Sequence, residues 1–283
     1  MAARYTGGMP SKAAALARSS HPGPSIAVTV ITVGLGIGAG LDILRLVFLG
    51  LAMLAGQLSV GLSNDWIDAD RDAAVGRKDK PIARGWISAA AVRTAAIVCA
   101  GLMLLLAIPL GWPALLVLVV AVGAAWAYNA WLKKSVLSIV PYLVGFGALP
   151  AIATLARPVP AAPAFWALGV GALLGAAAHF ANTLPDLADD AATGVAGLPQ
   201  RLGRGAASAL TYAILLAASV LEFFGTGGLG FIPGEVGLAA SIVIAVVGGS
   251  MILRPTRWHF RLIILAAMID VVVLIFAGSH ILA

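Results

Sequence analysis

Residues Ile43–Gly85 read "ILRLVFLGLAMLAGQLSVGLSNDWIDADRDAAVGRKDKPIARG". The first half is an apolar run long enough to cross a bilayer core of about 30 Å as a helix. The second half holds five of the chain's 12 carboxylates: Asp65, Asp68, Asp70, Asp72 and Asp79. An apolar span that ends in concentrated charge sets both the fold class and the place to look for chemistry.

Working outward, similar runs recur along all 283 residues, which are 61% hydrophobic and 11% charged. Soluble domains carry about 25% charge, and the alternating pattern of a membrane barrel is absent. The fold class is therefore all-α, a polytopic membrane protein of nine transmembrane helices. Spans are expected at 25–40, 43–66, 89–109, 112–132, 136–155, 162–184, 205–225, 236–253 and 260–281. Gly- and Pro-rich turn signals separate them, such as Pro109–Pro113 and Gly225–Gly230. Short loops make consecutive helices antiparallel neighbours in one bundle. Residues 1–24 are expected to form a flexible cytoplasmic tail, and 25–283 a single domain.

Loop charge orients the bundle. Of 18 Lys and Arg, 16 lie in the tail or in loops after even-numbered spans; only Arg45 and Arg157 lie on the other side. The positive-inside rule then puts the N-terminus and the acidic loops in the cytoplasm, and the C-terminus on the opposite side, of what is expected to be a bacterial plasma membrane. Topology also accounts for the net charge of +6, without a nucleic-acid partner. The lone Cys99 cannot form an intrachain disulfide and reads as a small hydrophobe.

The acids are spaced in rows. Asn64, Asp68 and Asp72 stand at i, i+4, i+8; Asn182, Asp186 and Asp190 repeat the pattern at the end of the sixth span. In a helix each row occupies one face, its members about 6 Å apart along the axis. Asp65 adds i+3 and i+7 relations to Asp68 and Asp72, and Pro185 kinks or opens the second row. Like charges in such rows repel, which argues against scaffolding and for a divalent cation. Mg2+ takes oxygen ligands, accepts few carboxylates and keeps positions for water and substrate phosphate. Arg77, Lys80, Arg84, Lys133, Lys134 and Arg201 are close enough in sequence to neutralise a diphosphate. Asp70 and Asp79 fall off these faces and read as solvated charge.

The sequence Asn64-Asp65-x-x-Asp68-x-x-x-Asp72 resembles the N-D-x-x-D-x-x-x-D motif of the UbiA superfamily of intramembrane prenyltransferases. Asp186-x-x-x-Asp190 resembles that family's second motif. "KPIARGWIS" (Lys80–Ser88), "YNAWLKK" (Tyr128–Lys134) and "LPQRLG" (Leu198–Gly203) resemble its flanking segments. The resemblance implies a bundle around a central cavity, closed by a polar cytoplasmic cap. It also implies Mg2+-dependent transfer of a prenyl group from a polyprenyl diphosphate to a small, often aromatic, acceptor. Quinone biosynthesis is one of the pathways this leaves open. Carried over by residue, Asn64, Asp65, Asp68, Asp72, Asp186 and Asp190 would hold metal. Asn64, Arg77, Lys80, Arg84, Lys134 and Arg201 would hold diphosphate, and Asp68, Asp72, Asp186, Tyr128 and Lys133 would be catalytic.

Two positions depart from the family pattern. Lys80-Pro81 stands where Arg-Pro is usual, with Arg84 as a substitute guanidinium, and His21-Pro22 stands where many members have Arg-Pro near the first helix. Acceptor identity, chain length and the choice of base stay open. A rival reading is a cation-coupled transporter using the acids of the second and sixth helices; their position at helix ends, on one side, weighs against it.

Overall fold

The computed structural model describes residues 10–184, 187, 197–252 and 257–283. The second acidic row beyond Asn182, including Asp186, Asp189 and Asp190, lies outside the described residues. The described chain is helical apart from turns and one isolated bridge, Pro163 with Leu282. Its α-helices are α1 (Lys12–Ser19), α2 (Pro22–Gly38), α3 (Ile43–Ile67), α4 (Ala69–Ala74), α5 (Ala89–Ala107), α6 (Trp112–Ala130), α7 (Val140–Leu155), α8 (Phe165–Thr183), α9 (Leu198–Gly225), α10 (Ile232–Ser250) and α11 (Arg257–Phe276).

Local chemistry explains the boundaries. The side chains of Ser11, Asp42 and Ser88 accept hydrogen bonds from the amides of Ala14, Arg45 and Ala91, capping α1, α3 and α5. Pro22, Pro113 and Pro141 occupy first turns, where their missing N–H costs nothing. In α9 a kink falls at Gly203, whose φ of 77° suits glycine.

Seven of these helices are long and apolar enough to cross a membrane; α2 is apolar but shorter. The long helices match the expected spans to within a few residues, except that α9 starts earlier, ahead of its kink. Within the stretch expected to form the N-terminal tail, Lys12–Ser19 form α1, which docks Ala15 and Ser19 in buried positions against the bundle. A second refinement concerns the first acidic row. Helix α3 stops at Asp68, whose ψ near 0° marks a local break, and α4 resumes at Ala69. The amides of Asp68 and Asp72 still bond to the carbonyls of Asn64 and Asp68, so the row keeps its helical register across the break.

The helices close a ring. The short α4 touches α3; the long helices pack in order α2, α3, α5, α6, α7, α8, α9, α10, α11, with α3 also touching α6, and α11 returns to α2. Small residues permit the closest approaches. A Cβ on Gly175 of α8 would run into the Tyr142 carbonyl of α7, and one on Gly61 of α3 into the Ser20 carbonyl.

Candidate active site

Two cavities meet inside the ring. One, of about 240 Å³, is an apolar chamber lined by side chains of α2, α3, α6 and α7, including Val28, Met53, Leu118 and Phe146. The other, of about 320 Å³, is polar, with His21, Asp68, Arg71, Arg77, Lys80 and Lys133 around it. Asn64, Tyr128, Tyr142 and Asn182 line both. The polar cavity is thus the mouth of the chamber, with amides and phenol rings at the junction.

The first acidic row reaches this mouth at Asn64 and Asp68. Asp68 is almost wholly engaged: Lys133 donates to its Oδ1, and Arg71 (3.2 Å) and Asn64 (3.3 Å) donate to its Oδ2. Asn64 also donates to Asn129 Oδ1 at 3.2 Å, and Asn129 is tied to the Val60 carbonyl and Ser63. Asp65, buried, accepts from Lys80 Nζ at 2.7 Å and faces His21 Nε2 at 3.4 Å; Lys80 and His21 are themselves 3.2 Å apart. His21 has a φ of 52°, a left-handed conformation uncommon for a residue other than glycine, at the α1–α2 corner. Asp72 is buried beside Arg71, and burial pushes its carboxyl above the usual range. Burial likewise pushes the Lys133 amine down, against the pull of Asp68. At the exposed rim, two hydrogen bonds from Arg77 hold the Asp79 carboxyl down to about 2.

Aromatic rings line the junction. Tyr128 packs edge-on against Tyr142 at 5.2 Å between centroids, and both touch the buried His179 ring. His179 Nε2 lies 3.0 Å from Ser138 Oγ, which accepts from the amide of Leu198 and so ties α8 to the start of α9.

Among the residues expected from the sequence, Asn64, Asp68, Arg77, Lys80, Tyr128 and Lys133 surround the mouth together, with Asp65 and Asp72 buried next to it. Arg84 turns elsewhere and stacks over Trp86, 4.9 Å from the ring centroid. Lys134 and Arg201 are exposed and do not line the mouth. Asp186 and Asp190 lie outside the described residues. Sequence reasoning passed over Arg71 and Asn129. Arg71 was legible as the i+3 neighbour of Asp68; Asn129, a polar residue in the last turn of an apolar helix, was the other available signal.

The donor set suits a hard, oxygen-seeking cation. Among the described residues, Asp65 Oδ2 and Asp72 Oδ2 are buried without a hydrogen-bond partner. Among the described residues no group of three acidic, His or Cys side chains could hold a metal by itself, so oxygens from elsewhere must complete any such site. Mg2+ is commonly bound in this way, through one or two carboxylates and substrate phosphate.

An apolar chamber behind a charged mouth, inside a bundle of helices long enough to cross a membrane, defines a class, an integral membrane protein with an internal polar site. The chain belongs to the UbiA prenyltransferase family, whose model matches residues 25–278. It is 31% identical over 161 residues to the digeranylgeranylglyceryl phosphate synthase of Methanopyrus kandleri, a match spanning 56% of this chain and 58% of that protein's length. The solved UbiA homologue from Archaeoglobus fulgidus bound to GPP and Mg2+ superposes with a TM-score of 0.75 at 14% identity, covering 94% of this chain and 99% of that one. A homologue from Aeropyrum pernix K1, solved without ligand, gives 0.71 at 16% identity over 89% and 98%. At these identities the structural likeness speaks for the fold alone.

Proposed function

We propose that this prenyltransferase moves a prenyl group from an allylic polyprenyl diphosphate to a small acceptor within the membrane, with Mg2+, releasing diphosphate. The observation that carries the reading is the shared wall of Asn64, Tyr128, Tyr142 and Asn182 between the charged mouth and the apolar chamber. It supports a molecule with a polyanionic head and a hydrocarbon tail; in this reading the bond between them lies near the tyrosines.

Arg71, Arg77, Lys80 and Lys133 supply positive charge to the departing diphosphate. Mg2+, which Asn64, Asp65, Asp68 and Asp72 would hold together with Asp186 and Asp190, would add charge neutralisation at the same leaving group. The ring faces of Tyr128 and Tyr142 favour positive charge developing on the allylic carbon, and the apolar walls keep water from it. The acceptor expected from the sequence is aromatic. The match to a digeranylgeranylglyceryl phosphate synthase supports a second reading, a glycerol phosphate acceptor. We further propose that nine helices span the bilayer with the mouth and N-terminus cytoplasmic, a reading supported by the one-sided distribution of Lys and Arg.

The test is release of diphosphate from a labelled prenyl diphosphate by purified protein, with products weighed by mass spectrometry across a panel of aromatic and glycerol phosphate acceptors. Turnover should require Mg2+ and fall at least about 100-fold in Asp68→Asn. Wild-type turnover in that variant, or full activity in chelator, would sink the reading.

A further inference from the structure

Away from the mouth, a second pocket of about 400 Å³ lies between α1 and the start of α5. Leu16, Ile87 and Ala91 give it an apolar floor, Trp86 forms a wall and the exposed Lys12 stands beside it. Two guanidinium groups lie over the Trp86 indole: Arg18, 5.5 Å from the ring centroid, and Arg84, 4.9 Å from it. Both arginines are exposed. Among the described residues the ion pairs involve other cations, so no carboxylate pairs with Lys12, Arg18 or Arg84.

These facts point to one kind of ligand. Ring contact restrains the guanidinium planes while leaving their N–H donors to bond elsewhere. Both guanidinium groups lie within 5.5 Å of the centroid of the ring that walls the pocket, so positive charge is concentrated beside it, where an anion would offset it. A free anion would have no use for the apolar floor; an amphiphile uses both. The pocket also lies beside the Ser88 cap that starts α5, at the end of an apolar span, which is the depth of lipid headgroups. The strongly basic side of a membrane protein faces the leaflet rich in anionic lipid.

We propose that this pocket binds the headgroup of an anionic phospholipid, with Arg18 and Arg84 as ligands to its phosphate, Lys12 as a supporting charge, and an acyl chain along Leu16 and Ile87. The site is separate from the diphosphate mouth and does not depend on the transferase reading. Its role is to anchor α1, and through the α1–α2 corner to seat Ser20 on Gly61 of α3.

The test is thermal unfolding of the purified protein in neutral detergent with added phosphatidylglycerol, phosphatidylcholine or inorganic phosphate, together with native mass spectrometry to count retained lipids. Phosphatidylglycerol should raise the midpoint by roughly 2–4 °C, phosphatidylcholine should not, and Arg18→Gln/Arg84→Gln should retain one fewer phosphatidylglycerol and lose the rise. Arg18→Lys/Arg84→Lys, which keeps charge but not the planar fork, should retain part of it; this pair serves if the glutamine variant does not fold. An equal rise with inorganic phosphate or phosphatidylcholine would overturn the lipid assignment. An undiminished rise and an unchanged lipid count in both double variants would overturn the site.

Discussion

Lys80 stands where the family pattern has arginine, and the reason is visible in its contacts. Its ammonium reaches a single buried oxygen, Asp65 Oδ1, at 2.7 Å, and lies 3.2 Å from His21. A compact point charge suits that one-oxygen contact better than a planar fork. The two departures from the pattern, 59 positions apart, therefore meet over one carboxylate. Replacing Lys80 with Met should leave Asp65 buried and poorly compensated, at a cost of about 3 kcal/mol. Thermal unfolding in detergent reads this directly, and a midpoint equal to wild type would show that His21 alone suffices. At the rim, Arg77 holds Asp79 at a pKa of about 2. Because the folded pKa is lowered, the pair's contribution is present above the ordinary carboxylate range and is lost as pH falls toward 2. The pair is exposed, so its stabilisation is small. Asp79→Asn should accordingly fold normally at neutral pH. By removing a carboxylate that competes for Arg77, it should lower the KM for prenyl diphosphate about two- to fivefold; an increase in KM would show that Asp79 orients Arg77.

At the scale of elements, the decisive feature is the break between α3 and α4. An uninterrupted helix would satisfy the spacing of Asn64, Asp68 and Asp72 equally well. The local break at Asp68 keeps that register while marking where the span gives way to the mouth. The contact of α7 with α8 is the second key element, because it carries Tyr142 and Asn182 to the junction. Gly175→Ala would drive a methyl into the Tyr142 carbonyl. It should cost about 1–3 kcal/mol and reduce kcat by shifting Tyr142, whereas Gly123→Ala, at an open position on α6, should do neither. A polar link of another kind joins the last helices: Ser219 donates to Asp270 at 2.6 Å across α9 and α11. The acid inside the last span is thus held by an interhelical hydrogen bond.

For the whole molecule, the proposed orientation rests on the one-sided distribution of Lys and Arg. With Cys99 replaced by Ala, a cysteine at Arg77 should react with a membrane-impermeant thiol reagent only from the cytoplasmic side, and one at Arg157 only from the other. The reverse pattern would invert the molecule in the membrane. Much of this architecture was legible in the chain. Span positions depend on local apolarity and on a fixed bilayer thickness, and the acidic row depends on helical periodicity; both are properties of short windows. The order of α1 was not legible, because an eight-residue helix of near-neutral hydrophobicity has no distinctive window of its own and is held by docking. Nor was the fate of the cations. Lys133 and Asp68 are 65 positions apart and Lys80 and Asp65 are 15 apart, and proximity in sequence would have recruited Arg84, which instead stacks on Trp86. By itself the sequence determined a helical membrane bundle and the helical spacing of an acidic row at the end of α3, because these follow from composition and periodicity. Only the tertiary structure decided which cation meets which acid, and that the charged mouth opens onto an apolar chamber. Those outcomes depend on how the ring of helices closes and on which side chains are desolvated together.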